Sequence, residues 1–143
     1  MTEGSVTDNA GDGLEVDGNG NTVTVTDSNF LNNVEDGFDV EGDNNFVSLF
    51  NITSEGNEED GLEINGNNNT INIFDSLLTN NALHGINIDG SFNVINLVNT
   101  DLSGNAAEEI LDLGEGNIIN IVSEINANPL ETGFLPLSGA EII

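Results

Sequence analysis

Lysine, arginine, cysteine, tryptophan and tyrosine are all missing from the 143-residue chain, and histidine occurs once, as His84. With no Lys or Arg, the 26 acidic residues go unanswered and the formal net charge near neutrality is -26. A surface of that sign repels nucleic acid, anionic membranes and acidic polysaccharides, which are held by cationic side chains. The lack of Cys removes disulfides, thiolate metal sites and thiol nucleophiles. No stretch approaches the roughly 20 apolar residues of a membrane-spanning helix, so membrane insertion is not expected. Residues 1–8 lack the basic start and apolar run of a cleaved signal peptide. Only 36% of residues are hydrophobic and 5% aromatic, too few for a thick globular core. A periodic architecture needs less.

The period is 24. Asn9, Asn33, Asn57, Asn81 and Asn105 recur at that spacing, and so do Asn21, Asn45, Asn69, Asn93 and Asn117. Gly18, Gly42, Gly66, Gly90 and Gly114 form a third column, and Val23, Val47, Ile71, Ile95 and Ile119 a fourth. Within one repeat, Gly13–Asp17 and Asn21–Asp27 alternate apolar and polar residues, the period of a strand. Between them Gly18-Asn19-Gly20-Asn21 supplies residues that tolerate a left-handed corner. A third, shorter segment ends at Phe30, Leu78 and Leu102, with Ser54 the weak member of its column.

Three short strands and three corners per repeat predict an all-β fold, a parallel β-helix (β-solenoid) of about six 24-residue coils stacked about 4.8 Å apart. The whole of 1–143 reads as a single domain, with a partial first coil at 1–8, regular coils over 9–126 and a partial last coil at 127–143. The column Asn21, Asn45, Asn69, Asn93 and Asn117 is expected to be a structural ladder, each side-chain amide bonding the coil next to it. In the fifth coil, Ile110-Leu111-Asp112-Leu113 shifts the apolar pair by one residue, which predicts a local bulge.

Across residues 9–126 the pattern Asn-x-x-x-Gly-apolar-x-apolar-x-Gly-x-x-Asn-x-aliphatic-x-aliphatic resembles the right-handed parallel β-helix repeats of pectate-lyase-like proteins. The resemblance implies a right-handed coil and little about function, because such repeats serve enzymes, adhesins and fibres alike. Enzymes of this group commonly use Arg or Lys beside the scissile bond, and this chain has neither. Carboxylate pairs such as Glu15/Asp17 or Asp39/Glu41 recur on successive coils as alternation requires, so no singular catalytic constellation stands out and the chain is not expected to be an enzyme. The final Ala140-Glu141-Ile142-Ile143 is similar to the uncleaved signals of bacterial type I secretion substrates, which implies an extracellular or cell-surface protein secreted without a cleaved N-terminal signal.

Acidic columns dominate the outward positions. Asp12, Asp36 and Asp60, continued by His84, and Glu15, Asp39 and Glu63, continued by Asn87, are candidate calcium ladders, with a merely solvated, solubilising face as the alternative reading. Neighbouring charges there repel by roughly 0.9 kcal/mol per pair in water, which invites an external cation. His84 itself reads as a surface residue. The length falls one residue short of six whole periods, so Val6 near the start and Leu135, Leu137, Ile142 and Ile143 near the end are expected to form a head-to-tail interface with another copy of the chain. The expected function is an extracellular structural protein that self-assembles into filaments or biofilm matrix fibres. The alternative is a monomeric module that binds a neutral carbohydrate or a cell surface through the outward column of Phe50 and Phe74, which continues as Val98 and Val122.

Overall fold

A computed structural model describes residues 1–123, and among these every regular element is a strand. One parallel sheet is built from β2 (Leu14–Asp17), β5 (Phe38–Glu41), β8 (Leu62–Asn65), β11 (Ile86–Ile88) and β13 (Ile110–Asp112). A second contains β3 (Thr22–Thr26), β6 (Phe46–Phe50), β9 (Thr70–Phe74), β12 (Val94–Val98) and β14 (Ile118–Val122). The third contains β1 (Ser5–Thr7), β4 (Asn29–Leu31), β7 (Thr53–Glu55) and β10 (Leu77–Thr79). These will be called the β2, β3 and β1 sheets. Every pairing joins residues 24 apart, such as Val23↔Val47↔Ile71↔Ile95↔Ile119, so the chain winds as a parallel β-solenoid.

The corners explain why the chain can turn three times per coil. Residues 3, 27, 51, 75 and 99 have φ of 49–52°, and each is Asp, Asn or, at the first coil, Glu3. Two further left-handed columns run through Asp8, Asn32, Gly56, Asn80 and Gly104, and through Gly20, Asn44, Asn68, Phe92 and Gly116. Asn, Asp and Gly are the residues that enter this region at low cost. Phe92 is the exception, held at φ 59° with its ring mostly exposed. The column of Gly42, Gly66, Gly90 and Gly114 has a different cause. A Cβ at any of them would run into the carbonyl of the glycine one coil below.

The core is a narrow stack of inward columns. In one coil Leu62, Ile64, Ile71, Ile73 and Leu78 all have no exposed surface, and each contributes about 1.5–3 kcal/mol by leaving water. Ser54, where its column has Phe30 and Leu78, is explained by its own coil. Phe38 stands there in a column otherwise held by Leu and Ile, and it packs edge-on against Phe30 with ring centroids 5.9 Å apart. The Ser54 hydroxyl donates to Gly61 O at 2.8 Å and accepts from Asn57 Nδ2 at 3.1 Å, so the small polar residue is satisfied inside the core.

The bulge expected in the fifth coil is not there. β13 pairs with β11 in unbroken register, Ile86↔Ile110, Asn87↔Leu111 and Ile88↔Asp112. Ile86 N donates to Glu109 O and Leu113 N to Ile88 O, which leaves no room for an extra residue between them. The apolar shift is absorbed by side chains instead. Leu111 lies half-buried on the outer face, and Asp112 takes the column of Ile88 as an exposed residue. There Asp112 Oδ1 accepts from Asn117 Nδ2 at 2.6 Å and from Gly114 N at 3.1 Å.

Candidate functional site

Two polar ladders flank the β2 sheet, and they bond in opposite directions. In the Asn columns, Oδ1 accepts the backbone N–H of the residue one coil earlier, so that Asn45, Asn69, Asn93 and Asn117 receive Asn21, Asn45, Asn69 and Asn93 at 2.7–2.8 Å. The amide of Asn69, Asn93 and Asn117 then donates to the glycine carbonyl 27 residues back. In the column Asp12, Asp36, Asp60, His84, Oδ1 instead accepts the N–H of the residue one coil later, at 2.9, 2.7 and 2.6 Å. An amide can both donate and accept, whereas a carboxylate only accepts.

This corrects the reading of Asp36 and Asp60 as part of a solvated ladder, while Asp12 at its start is half-buried. Asp36 is 3% exposed and Asp60 2%, because their side chains fold along the solenoid axis beneath the next coil's backbone rather than outward. Desolvation is the largest cause that pushes the Asp36 carboxyl up to about 8; the N–H of Asp60 works against it, and the charges of Glu63, Asp60 and Asp12 add to it. His84 is not a surface residue either. Its Nδ1 lies 2.9 Å from Asp60 Oδ1 and its Nε2 3.2 Å from Glu108 Oε2, so the single histidine is bracketed by carboxylates above and below. Glu108 lies 24 residues after His84, so the column itself carried this signal.

Four further acidic side chains are matched by amides. Asn51 Nδ2 donates to Asp27 at 2.6 Å, Asn99 to Asp75 at 2.7 Å, Asn67 to Asp43 at 3.1 Å and Asn80 to Glu55 at 2.9 Å. The corner column alternates Asp27, Asn51, Asp75, Asn99, which keeps like charges from stacking directly.

Glu15, Asp39, Glu63 and Asn87 do lie in one register on the outer face of the β2 sheet. They do not share one environment. Glu15 is exposed, Asp39 is 9% exposed and Glu63 is half-buried. Glu63 accepts from Asn65 Nδ2 at 2.8 Å and from Asn87 Nδ2 at 3.1 Å, and its carboxyl is raised first by desolvation. Asp39 Oδ1 is buried with no hydrogen-bond partner. Desolvation first, then the charges of Glu63, Asp12, Glu41 and Glu15, push its carboxyl up to about 7. Of the six candidate metal ligands the structure therefore brings Glu15 and Asp39 together, adds Glu41 beside them, and commits Asp12, Asp36, Asp60 and Glu63 to other partners.

The outer face of the β3 sheet is different in kind. Its outward columns hold Thr, Ser, Asn, Phe, Val and Ile and no charged residue. Phe50 and Phe74 stack with centroids 4.9 Å apart and planes 6° from parallel. Each ring covers one face of the other, which leaves less free ring surface for stacking on a sugar. Among the interface residues expected from the sequence, Val6 is half-buried and pairs with Phe30, while Leu135, Leu137, Ile142 and Ile143 lie outside the described residues. No protein-family profile, curated protein or solved structure matches the chain, so the parallel β-solenoid and its polar columns are what is established about it.

Proposed function

We propose that the chain is an extracellular structural protein whose solenoids stack coil upon coil, head to tail, into a filament or matrix fibre. The observation that carries this is the open first edge. Among the described residues, β1, β2 and β3 each have a strand neighbour on one side only. Of that layer's inward residues Val16 and Val25 are buried but Val6, Leu14 and Val23 are only half-buried, whereas Phe30, Phe38 and Val47, one coil on from these three, are 1% exposed or less. Unpaired strand edges over an apolar layer are templates for another chain. Because the internal interface repeats every 24 residues, the two ends of a stack of such coils are complementary by construction. A heterologous contact of this kind propagates into a fibre when it does not close. The acidic, Cys-free, Gly- and Asn-rich composition supports a place outside the cell.

A proline on the open edge tests this reading. Phe46, Thr70, Val94 and Ile118 each donate N–H to the preceding coil, so the equivalent N–H of Thr22 points off the edge. Thr22→Pro removes a donor with no acceptor among the described residues, at the first position of an edge strand where proline is tolerated. Electron microscopy and light scattering are expected to show concentration-dependent filaments for the unaltered protein and folded monomers for Thr22→Pro. Filaments of equal length and axial repeat in the variant, or an unaltered protein that stays monomeric at high concentration, overturn the proposal.

A further inference from the structure

We infer that Glu15, Asp39 and Glu41 hold one hard divalent cation, of which calcium fits best, on the outer face of the β2 sheet. One oxygen or more from each of the three lies within 4.8 Å of the others. An ion about 2.3–2.6 Å from each oxygen, the distance calcium adopts, bridges any pair at that span and takes the third with a small inward turn of the exposed Glu side chains, and its remaining positions are open to water. Magnesium, at about 2.0–2.1 Å and with a strict octahedral demand, requires the three groups to close further.

Proximity of carboxylates is common on so acidic a protein and would not suffice. What singles out this cluster is Asp39. It is 9% exposed, and its buried Oδ1 has no donor. Several other carboxylates are supplied with one. Glu63, directly after Asp39 in the same column, receives two amides, and Asp27, Asp43, Glu55 and Asp75 receive one each. Asp39 has Glu15 before it and Glu41 two residues along its own strand, both acceptors, with no Lys or Arg in the chain to answer them. Leaving a buried charged acceptor unpaired is costly, so the oxygen takes either a proton or a cation. Glu15 and Glu41 are exposed, which gives an ion a path from solvent to the Asp39 carboxylate. The site lies within one chain and does not depend on filament formation.

Calcium titrated calorimetrically into metal-free full-length protein at pH 7.5, with matched ionic strength, tests the inference. A single saturable site is expected. Asp39→Asn keeps an oxygen at the same place and is expected to weaken binding by at least about tenfold, while Glu58→Gln, an exposed carboxylate outside the cluster, leaves it unchanged. Glu41→Gln, also exposed and so harmless to folding, is expected to weaken binding as well and covers the case in which Asp39→Asn fails to fold. The same titration in Thr22→Pro removes any heat of assembly. No saturable binding, with Asp39 found protonated at neutral pH by carboxyl carbon chemical shift, overturns the inference in favour of a proton alone. Equal affinity in the unaltered protein, Asp39→Asn and Glu41→Gln overturns it in favour of diffuse screening.

Discussion

Lowering the pH is expected to stabilise this protein over a range where many acidic proteins are indifferent. Asp36 and Asp39 are buried, and their carboxyls sit near 8 and 7 in the fold against 3.8 as the ordinary value. Between about pH 4 and pH 7 the folded state therefore holds up to two protons that the unfolded chain has released. Stability falls as pH rises wherever the native state binds more protons, at about 1.4 kcal/mol per pH unit for each such group. From pH 5 to pH 7 the two groups together set an upper limit of about 5 kcal/mol of lost stability, and above about pH 9, with both ionised in either state, their contribution to the slope ends. Urea unfolding followed by circular dichroism at pH 5, 6, 7 and 8, with chelator present, measures this directly. Asp36→Asn keeps the Oδ1 that accepts Asp60 N and is expected to remove about 1.4 kcal/mol per pH unit from the slope. A protein more stable at pH 7 than at pH 5, or a double variant of Asp36 and Asp39 to Asn with an unchanged slope, refutes the reasoning.

Asn69→Ala strips buried partners from Asn45 N and Gly42 O and is expected to cost about 2–4 kcal/mol, whereas Asn19→Ala, which frees only the exposed Asp43 N, is expected to cost well under 1 kcal/mol by the same denaturation assay. Gly90→Ala drives a Cβ into the Gly66 carbonyl and is expected to cost about 3 kcal/mol or more, or to prevent folding, as seen by loss of the β-sheet spectrum. Phe92→Asn relieves a left-handed backbone at a bulky residue and is expected to raise the melting temperature, by a gain of about 1 kcal/mol.

The fold was legible because a period of 24 fixes which residues stack, and alternation within each strand then separates inside from outside. The corner at Gly20 was legible for the same reason: residues that favour a left-handed backbone recur at that spacing. Asp36 and Asp60 were misplaced because alternation has no meaning at a corner, where a side chain can lie along the axis and cap the neighbouring coil. Nor does a column of Asp say whether it bonds forward or back; that follows from which backbone N–H faces it. Glu41 is legible in the sequence as a neighbour of Asp39 along one strand but not as a third group beside Glu15, because the acidic columns run along the axis while the cluster joins residues two apart on one strand to a residue on the adjacent one. Leu111 and Asp112 misled in the opposite way, since the sequence shift was real but the backbone register held against it.

The constant register also governs how the chain folds in time. Each new coil closes a loop of 24 residues onto the coil before it, whatever the number of coils already formed. Closing such a loop costs about 3 kcal/mol of chain entropy before contacts repay it, and this charge recurs identically with every turn. Longer stacks therefore do not meet steeper barriers, and growth proceeds by winding from an existing coil once a first pair has formed. Opening runs the other way, from the outermost turns inward. Amide hydrogen exchange is then graded along the axis, slowest at the centre near Ile64 and Ile71 and fastest near Val6 and Val122.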